Sequence, residues 1–242
     1  MRRADRKLVV ELSTSSDPYP PEEEVFKLTR GALLLLLERG FRVLVLTKSD
    51  MVSRDLDLIM GKPVSVSMTI TTLDESLARV IEPGAPPPSR RVRCLEMLAR
   101  SGVPVSVRVD PVIPYLNDDP PALRELVDVV VEAGALHIVT SVYKARPDSL
   151  ARLSQAFPDL ASRWRALYYD RGVRVEGYRY LELEARRRLL APVVREAARL
   201  GVTYATCREG LLEDREYFSS PTCDGSHLVS TPRSSSIRRL IE

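Results

Sequence analysis

The stretch LVVELSTSSDPYPPEEE, residues 8–24, decides the fold of this 242-residue chain. Its apolar start predicts a buried strand, and the hydroxyl and aspartate residues that follow predict a loop at the carboxyl end of that strand. Three glutamates then open a helix, where negative side chains suit the positive end of the helix dipole. Ligands of α/β proteins bind at such junctions. A single loop of this kind more often only caps a helix, so its recurrence is what indicates a site.

The same arrangement recurs along the chain. Strands are predicted at residues 8–12, 42–46, 64–70, 103–109, 136–142 and 202–206. Helices are predicted between the first five, at residues 22–39, 51–60, 73–81, 90–101 and 121–133. The third strand, VSVSMTI, alternates, which indicates that one face packs while Ser65, Ser67 and Thr69 line something polar. Repeats at this spacing predict a parallel sheet with right-handed crossovers.

The pattern changes after residue 146. Amphipathic helical stretches are predicted at residues 150–157 and 160–170, around the single Trp164, and a long charged helix at 180–200. Residues 207–242 contain Gly, Ser, Pro and charges without the periodicity of a packed element, which predicts a loop-like tail.

The composition excludes several classes of protein. With 44% hydrophobic and 29% charged residues the chain is typical of a soluble globular protein, and its net charge of +3 demands neither nucleic acid nor a membrane. Three scattered cysteines do not make a secreted disulfide framework. The longest apolar run, residues 32–37, is too short to span a bilayer, and no signal-peptide pattern opens the chain. We therefore expect a cytoplasmic location and no membrane partner.

Five loops resemble those of one family when they are taken in order. TSSDPYPPEE, VLTKSD, VSMTITTLDE, IEPGAPPPSRR and VRVDPVIPYLND, within residues 9–118, resemble the radical S-adenosylmethionine proteins of the spore photoproduct lyase-like (DNA repair photolyase-like) group. The last two loops together are specific. The resemblance implies a partial (β/α)6 TIM-like barrel over residues 1–206, with 146–200 as its helical part, and the tail at 207–242. It also implies reductive cleavage of S-adenosylmethionine by a [4Fe–4S] cluster and radical hydrogen abstraction from an unknown substrate.

The departure from the family concerns the cluster. The family holds its cluster with CxxxCxxC after the first barrel strand, whereas Cys94, Cys207 and Cys223 are far apart in this chain. The first strand here resembles the family's second, so the first strand and its cluster loop are missing. MRRADRK resembles the end of the family's first helical region, which favours a truncated fragment over a relative that lost its cluster. We expect no cluster on this chain alone and no activity, so whether it is an enzyme stays open.

The resemblance assigns roles to several residues. Ser16 resembles a cofactor-contacting serine, Lys48 the lysine that meets the methionine carboxylate, and Ser67 a third polar contact. Thr14 sits where the lyases proper carry their hydrogen-donating cysteine, which argues against strict thymine-dimer repair because a hydroxyl is a poor hydrogen-atom donor. Weaker cofactor-binding candidates are Ser15, Asp17, Thr69, Arg108 and Asp110. The alternative for all of these is that inward polar side chains only satisfy one another.

Other polar and sulfur-containing residues have less specific interpretations. Cys207, Cys223 and His227, with the Asp224 carboxylate, are the only metal candidates. Zinc or an auxiliary cluster prefers four ligands, and only three of these are good ones, so buried or free thiols are the alternative. Structural roles are predicted for the others: Cys94 and His137 in the core, and Glu82 in a rim ion pair with Arg90 or Arg91.

Two rival functions remain beside the radical barrel: a cluster-less binding or regulatory module, and a metal-dependent enzyme using the cysteines and His227. The basic end with Arg233, Arg238 and Arg239 could touch nucleic acid, but three arginines are more typical of a solvated tail. A barrel without its first strand leaves an open edge, which predicts pairing with a second copy of the chain.

Overall fold

The computed structural model describes residues 8–12 and 16–229, in which six parallel strands form one sheet. Counting a separate hairpin, the strands of the described residues are β1 (Val9–Leu12), β2 (Arg42–Thr47), β3 (Val64–Thr69), β4 (Val105–Val112), β5 (His137–Val142), β6 (Val173–Val175), β7 (Tyr178–Tyr180) and β8 (Thr203–Thr206). The order in the sheet is β1-β2-β3-β4-β5-β8, while β6 and β7 form a separate hairpin. The six predicted strands and their parallel arrangement are confirmed.

Helices connect the strands of the sheet. They are α1 (Glu23–Phe26), α2 (Leu28–Glu38), α3 (Leu56–Ile59), α4 (Glu75–Ile81), α5 (Pro88–Arg100), α6 (Pro120–Glu132), α7 (Pro147–Ala156), α8 (Pro158–Arg165) and α9 (Leu183–Arg199). The helix predicted over residues 22–39 is divided in two because Lys27 adopts a left-handed conformation with φ 51°. Within the described ranges, none of the helices combines the length and the apolar character needed to cross a bilayer.

One face of the sheet packs against the helices. Alternate residues of β2, β3 and β4, such as Val43, Val66 and Val107, are completely buried in the same hydrophobic cluster as side chains from α5, α6 and α9. Cys94 belongs to this cluster, as predicted. Trp164 is also fully buried, and its indole Nε1 donates a hydrogen bond to the Pro114 carbonyl at 2.8 Å.

The β6–β7 hairpin lies inside the stretch that was predicted to be helical. Its turn residues, Glu176 and Gly177, both have positive φ, at 47° and 84°. Two such residues between short strands make the mirror-image turn that matches the twist of a hairpin. The alternation in VRVEGYRY, residues 173–180, is the sequence signal for it, but three residues a strand are too few to outweigh the helical stretches on either side.

Candidate functional site

The face of the sheet opposite the helices is polar, and we call it the concave face. Strand register aligns Glu11, Leu44, Ser65, Ser67, Ser106, Arg108 and His137 on this face. The hydroxyls of Ser65, Ser67 and Ser106 are buried and have no hydrogen-bond partner in the part of the chain that the structure describes. The predicted polar face of β3 is therefore confirmed. Buried hydroxyls without partners are costly unless something else supplies a partner, so this face is suited to a polar ligand.

A cavity of about 930 Å³ opens at the carboxyl ends of the strands. Asp17 follows β1, Lys48 follows β2, Thr71 follows β3, and Pro111 lies near the end of β4; all four line it. Asp17 organises this edge, since its carboxylate accepts hydrogen bonds of 2.7 Å from the Thr47 hydroxyl and the Lys48 backbone N–H. The strand-end loops thus converge as the sequence predicted.

Lys48 belongs to a chain of charges on the cavity wall. Its Nζ lies 3.8 Å from Glu82 Oε1, and Glu82 Oε2 accepts a 2.6 Å hydrogen bond from Arg91 Nη1. The Arg91 side chain is 1% exposed and also donates to the Thr69 and Pro86 carbonyls. The predicted rim ion pair is confirmed with Arg91 as the partner. The lysine ammonium is consequently held loosely and remains able to meet an anionic group in the cavity.

Arg108 and Asp110 pair with each other within β4. Arg108 Nη2 donates to Asp110 Oδ2 at 2.6 Å, and the Ser141 hydroxyl donates to Asp110 Oδ1 at 2.5 Å. Burial alone would raise the pKa of Asp110, but the Arg108 charge and the Ser141 hydrogen bond hold it below its ordinary value. Asp110 is therefore an ionised and fully partnered carboxylate, which matches the alternative that some inward polar residues satisfy one another.

The segment at residues 219–229 covers part of the concave face. Gly225, with φ 85°, lies so close to Ser106 that an added Cβ would be 2.8 Å from its hydroxyl oxygen. His227 meets His137 edge to face, with ring centroids 4.8 Å apart. Val229 is 1% exposed. This part of the predicted tail is loop-like but packed, because the small side chains of the concave face leave room for it. Arg233, Arg238 and Arg239 lie outside the described residues.

The metal candidates come together only in part. Cys207 follows β8, Cys223 lies in the segment that covers the concave face, and His227 Nδ1 lies 2.9 Å from the Thr222 hydroxyl. Among the described residues, no three His, Cys, Asp or Glu side chains are grouped as a metal ion would require. The geometry therefore gives the metal-dependent enzyme no support.

Other candidates are placed as follows. Ser16 is exposed at the start of the loop after β1, and Thr14 and Ser15 lie outside the described residues. Glu11 was missed by the sequence reasoning, although burial and then the Asp224 carboxylate raise its pKa. No local signal shows that the Asp224 charge acts on Glu11, because Asp224 belongs to a loop that is distant in the sequence.

His137 gives a prediction about acid stability. It is buried as expected, with Nδ1 2.9 Å from the Thr203 hydroxyl, but its Nε2 has no partner in the described structure. Burial, and then the neighbouring His227, lower its pKa from 6.5 to about 4. The unfolded chain thus binds more protons between these values, so stability is complete above about pH 6.5 and is lost as the pH falls towards 4.

We expect His137→Gln to remove this part of the pH dependence, roughly 2–3 kcal/mol between pH 7 and 4. Urea unfolding of both proteins across that range measures the difference between their slopes. Parallel pH profiles for the variant and the parent protein would contradict it.

Comparison with known proteins shows which of them this chain resembles in sequence and in fold. No family model matches the chain. An uncharacterized Mycobacterium tuberculosis protein is 32% identical over 171 residues, which cover 67% of this chain and 50% of the relative. A radical SAM Nα-GlyT isomerase of Pseudomonas phage M6 is 25% identical over 210 residues, covering 81% of this chain and 42% of the isomerase. The chain spans about half the length of the curated relatives it matches.

The fold defines the class of protein as a parallel, partial (β/α) barrel with a cavity at the carboxyl ends of the strands. A spore photoproduct lyase variant solved with AdoMet and dinucleoside spore photoproduct matches with a TM-score of 0.63 and 17% identity, covering 87% of this chain and 61% of the lyase. The chain therefore shares the fold of the spore photoproduct lyase structures, as the resemblance of its loops predicted.

Proposed function

We propose that the chain is the S-adenosylmethionine-binding barrel of a radical S-adenosylmethionine protein. The observation that carries the proposal is the convergence of Asp17 and Lys48 on one cavity at the carboxyl ends of the strands. The lyase with the same fold binds AdoMet according to its description, and the phage relative is described as a radical SAM isomerase.

The residues present fit the cofactor in their chemistry. The Lys48 ammonium, 3.8 Å from its nearest carboxylate oxygen, is suited to the methionine carboxylate because such charge-assisted contacts are strong. The unpartnered hydroxyl of Ser67 and the nearby Thr69 supply polar groups on the concave face, and Ser16 lies on the loop after β1. Asp17 holds the Lys48 backbone in place, which makes it a positioning residue.

The residues do not fit a [4Fe–4S] cluster. Cys94 is buried in the core, where its Sγ lies 3.6 Å from the Asp50 carbonyl, so at most Cys207 and Cys223 of the three cysteines are left to bind a cluster. A cluster that binds the cofactor through an open iron needs three thiolates. These 242 residues therefore lack the thiolates on which a radical step would depend.

Replacement of Lys48 tests the proposal. We expect Lys48→Met to weaken S-adenosylmethionine binding about 10- to 100-fold, the effect of losing one charge-assisted hydrogen bond. Calorimetric titration of the purified chain with S-adenosylmethionine measures the dissociation constant. Lys48→Arg keeps the charge, and Lys62→Met removes an exposed lysine before the start of β3, so both should bind better than Lys48→Met. Equal affinity in Lys48→Met and the parent, or no binding to the parent, would overturn the proposal.

The cluster-less binding module is the second candidate, because the chain has no CxxxCxxC. Anaerobic iron–sulfur reconstitution and the genomic sequence upstream of Met1 together separate the two. Binding of about four irons with a visible charge-transfer band supports a radical barrel assembled from unexpected ligands. Retention of S-adenosylmethionine binding without iron favours the module, and an in-frame CxxxCxxC in the genomic sequence upstream of Met1 would then favour a truncated radical protein.

A further inference from the structure

A second cavity lies between α6, α9 and the loop that follows β8, and we call it the arginine cleft. Its volume is about 630 Å³, which is in the range of small-molecule sites. Four of its nine lining residues are arginines, Arg124 from α6 and Arg187, Arg188 and Arg195 from α9. The cavity at the carboxyl ends of the strands has a different set of lining residues, so the two sites are separate.

The amphipathic pattern of α9 places arginines on its outer side. Leu190, Val193 and Ala197 of this helix are completely buried in the hydrophobic cluster beneath the sheet. Arg188 and Arg195 are exposed, and a separation of seven residues, about two turns, puts them on one side of the helix. The row is therefore set by helix periodicity once the apolar side of α9 is packed.

The loop after β8 fixes two of the arginines. Arg187 Nη2 lies 2.8 Å from Asp214 Oδ2, and the Tyr217 hydroxyl donates a hydrogen bond to the Arg187 carbonyl at 3.2 Å. Arg195 Nη2 lies 2.9 Å from Glu216 Oε1. These two guanidinium groups are held in place before any ligand arrives, which reduces the entropy that binding would cost.

The cleft also contains donors that no carboxylate occupies. Within residues 8–12 and 16–229, Arg124 and Arg188 form neither an ion pair nor a side-chain hydrogen bond. Arg187 Nε is buried and has no hydrogen-bond partner in the same ranges, since Glu184 Oε1 is 3.6 Å away. A buried N–H without an acceptor is costly, so an external acceptor would stabilise this arrangement.

The charges of the cleft favour an anion. Its four arginines face two glutamates, Glu184 and Glu216, and positive charge remains in excess when Asp214 behind Arg187 is also counted. Guanidinium groups are permanently charged, and their planar sets of N–H donors match the oxygens of phosphate. Because the arginines come from two helices, one phosphate group cannot use them all, whereas two linked phosphate groups can meet more of them.

We propose that the arginine cleft binds a small anion that carries two or more linked phosphate groups. Arg124 and Arg188 are its free contacts, and the loop after β8 positions Arg187 and Arg195 beside them. The site goes beyond the proposed S-adenosylmethionine function, because it lies outside the cavity that contains Lys48.

Calorimetric titration of the purified chain with inorganic pyrophosphate, at low salt and without divalent cations, tests the proposal. We expect saturable binding to one site, with about tenfold weaker binding in Arg188→Met and in Arg124→Met. Both arginines are exposed, so these variants should keep the parental melting temperature and S-adenosylmethionine affinity. Arg174→Met removes an exposed arginine of the β6–β7 hairpin and is the matched control, with parental pyrophosphate affinity.

A variant with an opposite effect and two further anions sharpen the test. Glu216→Gln should bind pyrophosphate severalfold more tightly, because the Arg195 guanidinium is then free. Inorganic phosphate should bind more weakly than pyrophosphate, because it meets fewer guanidinium groups at once. An ADP affinity that also falls in Arg188→Met would identify the ligand as a nucleotide, whereas ADP binding that the substitution leaves unchanged would identify it as pyrophosphate itself.

Three results would overturn the proposal. The first is an absence of pyrophosphate binding to the parent protein, and the second is an equal loss of affinity in Arg174→Met and Arg188→Met. The third is sulfate binding as tight as pyrophosphate binding at equal ionic strength, which would show only unspecific attraction of anions to a basic surface.

Discussion

Arg91→Met is expected to destabilise the protein by about 3–5 kcal/mol, the usual effect of breaking a buried ion pair from one side. The Glu82 carboxylate, whose side chain is 7% exposed, would lose its 2.6 Å partner, and two backbone carbonyls would lose their donor. The free energy of unfolding from urea titration measures the change. The freed Glu82 would also draw Lys48 closer, so S-adenosylmethionine affinity should fall in the folded variant.

The neighbouring arginine provides the control for this experiment. Arg90 pairs with Asp50 at 2.7 Å, but its side chain is 56% exposed, so Arg90→Met should cost less than about 1 kcal/mol. The double variant Arg91→Met/Glu82→Leu should recover much of the lost stability, because no charge is then buried alone. A loss in Arg91→Met no greater than in Arg90→Met would contradict the prediction.

Glu209→Ala is expected to lower the free energy of unfolding by roughly 3 kcal/mol or more. Glu209 follows β8, its side chain is completely buried, and its Oε1 accepts hydrogen bonds from Lys144 Nζ at 2.7 Å and the Val142 N–H at 2.9 Å. Its Oε2 lies 3.3 Å from Arg186 Nη1. Removal would leave two nearly buried cations and one backbone donor without their partner.

Calorimetry measures this effect as a melting temperature about 6–12 °C lower, given about 2–4 °C per kcal/mol for a chain of this size. Glu216→Ala removes an exposed carboxylate that pairs with Arg195, and its melting temperature should hardly change. Similar melting temperatures for the two variants would show that the buried cluster at Glu209 contributes no more than a surface pair.

Local patterns were sufficient to predict the sheet. Most of the strands are short runs rich in β-branched residues that follow a Gly or Pro, and connections of this length favour a parallel arrangement. The convergence of Asp17 and Lys48 follows from the same rule, because the carboxyl ends of parallel strands share one edge. The position of Ser65 and Ser67 on the same face of β3 could be predicted because side chains two residues apart in a strand point to the same side.

The features that escaped prediction depend on register or on distant segments. The choice between Arg90 and Arg91 as partner of Glu82 depends on helix phase, which the sequence does not define to within one residue. The approach of Asp224 to Glu11, and the insertion of Gly225 between Ser106 and His137, depend on how a loop returns across the sheet. Charge and hydropathy patterns contain no information about that return.

The strand order has a consequence for synthesis on the ribosome. Strands β1 to β5 pair strictly with their predecessors in the chain, so each can join an existing edge as it emerges. The last strand is different, because residues 143–202 must leave the ribosome before β8 can pair with β5. Until then the β5 edge is exposed and open to pairing with other chains. The interval before β8 arrives is therefore when the nascent protein is most vulnerable to aggregation.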